Sequence, residues 1–385
     1  MESFLRHKYK QLPFDMMASL DTYTSRYDDM IDLSLGDLNL TTDAQVIKQS
    51  FHDALKGHTH YTNVSGDPEL AKLILERSYR AYGTHLEAEN LLITSSGSHA
   101  LCLTMLALLE PGDEVIILEP YFTPFGKMVD LAEAKAVFVP CPASKDFLPD
   151  MEALKAAIHP RSKALILNSP NNPTGRVYPR STLEAINVFC REHGIFIISD
   201  EVYAAFDFAN QFCSQLELDP QLEQSLIAQS FSKAFAMTGW RLGYALGPAP
   251  LIAAMKSINE GMISSAPSVS QRAALYALKD DKRILGTLKA EVASRLEAAW
   301  EEVQQTPRMQ ALASEGGIYL FISIKETGLT SAQVHQQIFE QAHVLLYPGC
   351  QFGPSGEGYL RLAVSQSCED IRQAFQRIRQ MELFS

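Results

Sequence analysis

From Asp43 onward the apolar positions switch between a helical and a strand-like repeat. Val46, Ile47, Phe51, Ala54 and Leu55 recur at helical spacing after Asp43 and stop at Gly57, which predicts an amphipathic helix capped by the aspartate. Asp67-Pro68-Glu69 opens a second helix, with proline at the first helical position and Gly83 beyond its end. Short runs that are apolar throughout follow at 91–94, 115–118, 136–139, 164–167, 195–198 and 226–229. Strands buried on both faces read this way, as in a parallel sheet covered by helices. Helical stretches lie between them, for example one opened by Ser181-Thr182-Leu183-Glu184 as a capping box and ended by Gly194.

The pattern changes near residue 280. Asp281 to Arg308 has the spacing of a long charged helix, and 317–322 and 359–363 read as strands among helices. The expected class is therefore α/β, with a large α/β domain over 43–280 and a smaller α+β domain over 281–385. The N-terminal arm, 1–42, contributes part of the small domain through Ile31 to Gly36.

Composition narrows the function classes. With 46% hydrophobic and 20% charged residues the chain has the make-up of a folding globular protein, without a long disordered tract. A net charge of -12 and no basic stripe argue against nucleic acid. Six scattered cysteines without a Cys-x-x-Cys pair suggest reduced thiols, no metal site and a cytoplasmic setting. Met1 to Lys8 has no apolar signal-peptide core, and the most apolar run, 100–109, is too short for a membrane span, so neither export nor insertion is expected.

Polar residues gather just past the strands, where open α/β sheets bind ligands. Ser95-Ser96-Gly97-Ser98-His99 begins a helix whose free backbone N–H groups form a phosphate cradle, though serine and glycine also make a plain cap. Asn168-Ser169-Pro170-Asn171-Asn172-Pro173-Thr174-Gly175 is a stiff loop that aims Asn172, or an ordinary turn. Asp200, in Ser199-Asp200-Glu201-Val202-Tyr203, ends a buried strand and needs a cationic partner, which an ordinary salt bridge would also supply. Lys233, in Ser230-Phe231-Ser232-Lys233, reads alone as a solvated charge. Their convergence on one sheet edge favours a site.

Three segments carry a family resemblance: 168–175, 199–203 and Ser230-Phe231-Ser232-Lys233-Ala234-Phe235-Ala236-Met237-Thr238-Gly239-Trp240-Arg241-Leu242-Gly243-Tyr244, in that order. They make the chain similar, over nearly its whole length, to the class I/II aminotransferases of the fold-type I pyridoxal-phosphate (PLP) enzymes. The resemblance implies a mainly parallel seven-stranded sheet in the large domain and a PLP-dependent transfer of an amino group from an α-amino acid to a 2-oxo acid. Lys233 would hold the cofactor as a Schiff base and act as base and acid, and Asp200 would pair with the pyridinium nitrogen. Tyr203 and Asn172 would bond the ring hydroxyl, and Phe122 would stack on the ring, with Tyr121 beside it. Ser96, Gly97, Ser98, Ser230, Ser232 and Arg241 would hold the phosphate. Arg361 would take the substrate carboxylate, with Gly36 and Asn172 close by. Tyr61 would reach the neighbouring active site of a homodimer.

Two departures stand out. Gly36-Asp37-Leu38 replaces the usual Gly-x-Pro, and Ser98 stands where relatives that favour acidic substrates often carry lysine. The alternatives are a C–S β-lyase or another eliminase or cyclase on the same residues, and a non-enzymatic effector-sensing domain. The latter needs a DNA-binding module that the 42 residues before Asp43 do not resemble.

Overall fold

The computed structural model describes residues 4–10, 23 and 25–385. Residues 1–3, 11–22 and 24 of the predicted N-terminal arm lie outside the described residues. In chain order the strands are β1 (Ile31–Asp32), β2 (Leu91–Thr94), β3 (Glu114–Glu119), β4 (Lys135–Pro140), β5 (Ser162–Asn168) and β6 (Phe196–Asp200). They continue as β7 (Ser225–Ser230), β8 (Gly243–Leu246), β9 (Tyr319–Ser323), β10 (Val344–Leu345), β11 (Tyr347–Pro348) and β12 (Tyr359–Ala363).

Seven strands form one sheet in the order β2-β8-β7-β6-β5-β3-β4. Six share a direction; β8 runs antiparallel to both its neighbours, β2 and β7. Both faces are buried over the other six strands, as the unbroken apolar runs require, whereas the edge strand β4, expected to be buried too, is buried only at Val139. Val115 and Ile117 point into one hydrophobic cluster, with Ala164 and Ile166, while Ile116 and Leu118 point into another, with Leu165 and Leu167. Each buried valine, leucine or isoleucine here contributes roughly 1.5–3 kcal/mol. A second, antiparallel sheet has the order β11-β12-β9, and β1 pairs in parallel with β10.

The first helices follow their local signals. Asp43 accepts from Gln45 N at 2.9 Å and from Val46 N at 3.3 Å, capping Ala44–Leu55. Asp67 caps Pro68–Tyr82, which closes on Gly83 at φ 69°. Elsewhere the structure corrects the reading. The predicted capping box at Ser181 is absent: the helix starts at Arg180, behind Pro179, without a side-chain cap. The pattern matched because Glu184 is there, but it pairs with Arg180 at 3.7 Å, one turn back. The long helix stops at Gln304, four residues early, where Thr306-Pro307 follows and Arg308 takes φ 60°. The strand expected at 195–198 runs from Phe196 to Asp200. Strand β8 was not foreseen.

One apolar cluster joins Leu70 and Leu91 to Ile284, Ile322 and Phe375, so a shared core crosses position 280. Among the described residues no helix is long and apolar enough to cross a membrane, and no group of three or more His, Cys, Asp or Glu could hold a metal ion. All six cysteines are free thiols.

Candidate active site

The carboxyl ends of β2, β5, β6 and β7 face the second sheet and the turn after β1 across a cavity of about 450 Å³. Thirteen of the fifteen residues singled out in the sequence line it; Tyr61 and Tyr121 do not.

One end of the cavity is built for an anion. Ser96 caps the helix Gly97–Leu108, its hydroxyl accepting from His99 N at 3.0 Å. Orphan N–H groups of that first turn therefore open toward the lining residues Gly97 and Ser98. Glycine is required at 97, since a Cβ there would stand 2.9 Å from Val202 Cγ1 and 3.3 Å from Ser230 Cβ. Ser230 Oγ accepts from Ser232 N at 3.1 Å, and both serines line the same end. Arg241 sits in the left-handed region at φ 54°, and its Nη1 donates to Thr238 O at 2.7 Å, which turns an exposed guanidinium toward the cavity.

The middle holds the titratable pair. Asp200 is 3% exposed, and its carboxylate receives one hydrogen bond, from Val202 N at 3.3 Å, with no cationic partner. Burial pushes its carboxyl up to about 7; the Val202 bond opposes this and the charge of Glu201 adds to it. Lys233 Nζ donates to Gly36 O. Burial lowers its amine to about 8, Asp37 opposes that, and Arg361 and Arg241 reinforce it. The ring of Phe122 lines the cavity and meets Phe125 edge-on at 5.4 Å, whereas Tyr121 turns away to stack on Phe138 at 4.9 Å.

At the other end, Arg361 of β12 is 5% exposed and clamped from two sides: Nη1 donates to Asn172 Oδ1 at 2.9 Å and Nη2 to Ser34 O at 2.6 Å. Its Nε is buried without a partner. The guanidinium carbon lies 4.5 Å from the Tyr319 ring centre, 4.9 Å from Tyr347 and 4.8 Å from Phe352. Asn172 is itself held, its N donating to Asn168 Oδ1 at 2.8 Å. Tyr203, whose hydroxyl burial pushes well up, lies 2.8 Å from the Tyr319 hydroxyl.

Sequence reasoning missed Tyr319, Tyr347, Phe352 and Asp37. Tyr319 lies in the run 317–322 that reads as a strand, and Tyr347 and Phe352 lie where no element was predicted. Asp37 was noted only as a departure; its Oδ1 accepts from Thr238 Oγ1 at 2.8 Å at the cavity wall.

Tyr61 is 85% exposed on the loop that follows Ala44–Leu55. That loop is anchored rather than loose. Gln271 Nε2 donates to Thr62 Oγ1 at 3.0 Å, and Asp67 N donates to Gln271 Oε1 at 2.6 Å. Beside it, buried Arg272 pairs with Asp53 at 2.6 Å, Glu69 at 2.9 Å and Asp67 at 3.2 Å.

Known proteins share both sequence and fold. The family model for aminotransferase class I and II matches residues 28–378. The arginine–pyruvate transaminase AruH of Pseudomonas aeruginosa is 32% identical, over 91% of this chain and 89% of its own length. An aspartate aminotransferase of Pyrococcus horikoshii is 33% identical, over 92% and 91%. The structure of Thermus thermophilus aspartate aminotransferase with maleate superposes with a TM-score of 0.92 at 30% identity, covering 98% of this chain and 99% of that one. The chain belongs to the class I and II aminotransferases and is an enzyme that uses pyridoxal phosphate to move an amino group from an amino acid to a 2-oxo acid.

Proposed function

We propose that Lys233 is the residue that holds the aldehyde carbon of pyridoxal phosphate and moves the substrate's α-proton. The observation that carries this is the juxtaposition of a lysine of lowered pKa with a buried, cation-free carboxylate, Asp200, in one cavity. The residues fit the group: Asp200 lacks the positive partner that a protonated ring nitrogen supplies, and the cradle at Ser96, Gly97 and Ser98 suits a phosphate. When bound, the cofactor supplies an electron sink for charge developing at the α-carbon.

Asp200 would hold the ring nitrogen in its protonated form, and the hydroxyl of Tyr203 would donate to the ring oxygen. Phe122, which lines the cavity, would stack on the ring. Ser230, Ser232 and Arg241 join the helix start in binding the phosphate, Arg241 with the planar fork that matches two oxygens. The N–H groups that Nη1 and Nη2 of Arg361 do not spend on Asn172 and Ser34 take the substrate α-carboxylate, with Asn172 and Gly36 fixing the approach. Lys233 Nζ, its pKa lowered to about 8, takes the α-proton as general base and returns it as acid.

We also propose a homodimer in which Tyr61 reaches the phosphate of the partner's site. Its exposure supports this, as do exposed Phe51 and Leu55 on the helix leading to it. The six free thiols support a cytoplasmic setting. No observation favours an eliminase or an effector-sensing role over amino transfer.

Borohydride treatment of the cofactor-loaded protein, followed by peptide mass spectrometry, tests the lysine assignment. A pyridoxyl group fixed on Lys233 is expected. A group on another lysine, or on none, overturns it.

A further inference from the structure

Tyr319 lies at the point where the two halves of the site meet. Its hydroxyl is 2.8 Å from that of Tyr203, and both residues are buried. The same hydroxyl is wedged against the backbone of Gly36, since a Cβ at that glycine would overlap it. The carbonyl of Gly36 accepts from Lys233 Nζ. Over the ring sits the guanidinium of Arg361, 4.5 Å from its centre, and the two rings meet edge-on at 5.6 Å. One side chain thus touches the residue assigned to the ring oxygen, the one assigned to the substrate carboxylate and the glycine that receives the lysine.

We infer that Tyr319 is a positioning residue, whose hydroxyl donates to Tyr203 and so strengthens the bond Tyr203 makes to the cofactor's ring oxygen. This rests on the reading of Tyr203 given above. The direction of donation follows from the surroundings. Tyr203 can give its single proton to the ring oxygen only if its partner supplies the other bond. Chained hydrogen bonds of this kind strengthen one another in a low-dielectric site. The charged and titratable groups facing the pair are Arg361 and Asp200, with Lys233 beyond Gly36 and Asp37 and Arg241 around the lysine.

The test uses the loaded enzyme's visible spectrum, titrated with pH, in Tyr203→Phe, Tyr319→Phe and the double variant. Phenylalanine keeps both rings, so the packing against Arg361 survives. A weaker bond to the ring oxygen leaves its negative charge less stabilised, and the nitrogen joined to Lys233 then keeps its proton to higher pH. Tyr319→Phe should raise the spectral transition by about 0.5–1 pH unit, the size of one neutral hydrogen bond. Tyr203→Phe should raise it further, and the double variant should match Tyr203→Phe alone, because Tyr319 acts only through Tyr203. If Tyr203→Phe shifts the transition while Tyr319→Phe does not, or if the two shifts add, the inference is wrong and the role of Tyr203 stands. If Tyr203→Phe itself leaves the transition in place, the role of Tyr203 falls and the inference with it.

Discussion

Asp200 and Glu201 are neighbours at the end of one strand, both buried, both with carboxyls that burial pushes up to about 7. Their surroundings differ in kind. Glu201 accepts from Gln215 N at 2.8 Å, from Ser214 Oγ at 2.8 Å and from Ser199 Oγ at 3.1 Å, so the chain satisfies it and uses it to hold the start of Gln215–Leu218. Asp200 lines the cavity with a single backbone donor. A carboxylate that serves structure brings its own donors; one that serves a ligand is left short of them, at a cost in stability the ligand repays. Identical burial and nearly identical sequence position therefore say little about role. What separates the two is who completes the hydrogen bonding.

The same contrast sets apart the residues that wait for a ligand from those that support them. Lys233→Ala should bring the largest loss, lowering kcat/KM by about 1,000-fold or more by removing both the attachment point and the base. In wild type, the rate at which apo-protein takes up cofactor should rise with pH through about 8, as the amine loses its proton. A pH-independent rate would show that Lys233 is not the group attacked. Next, Arg361→Lys should raise KM for the amino donor about 10- to 100-fold in steady-state assays, because an ammonium cannot reproduce the two-pronged bond to a carboxylate. An unchanged KM would move the substrate carboxylate elsewhere. Tyr61→Phe should weaken cofactor affinity by about threefold to tenfold, the effect of one exposed hydrogen bond, and an effect absent from the dimer would remove Tyr61 from the partner's site.

Much of this was legible before the structure, for a definite reason. Asn172, Asp200 and Lys233 each follow an apolar run long enough to be recognised as a buried strand, so their position at the sheet's carboxyl edge could be inferred from order alone. Strand β8 could not: Gly243-Tyr244-Ala245-Leu246 has neither alternation nor length, and its place depends on close packing of Gly243 against Ser96 and Gly97. Tyr319 was hidden because its role is tertiary. Nothing in Ile318-Tyr319-Leu320 distinguishes a core tyrosine from one whose hydroxyl meets Tyr203. The failed capping box at Ser181 is the opposite error, a local motif read correctly as residues and overruled by the proline just ahead of it.

The pH dependence sharpens the comparison. Both carboxyls are raised in the folded chain, so each destabilises it as pH climbs from the ordinary carboxylate range through about 7, fully so above that. A protonated ring nitrogen relieves Asp200 and leaves Glu201 as it was. Thermal shifts caused by cofactor should therefore be larger at pH 8 than at pH 5 in the Glu201→Gln protein, and should lose that pH dependence in Asp200→Asn.

Cofactor affinity of Asp200→Asn and Glu201→Gln, measured side by side at pH 8 by equilibrium titration, tests the central claim most directly. Asp200→Asn should bind pyridoxal phosphate at least about tenfold more weakly, as the loss of a charge-assisted hydrogen bond requires, and Glu201→Gln should stay within about threefold of wild type. Equal weakening in the two variants, or wild-type affinity in Asp200→Asn, would contradict the account.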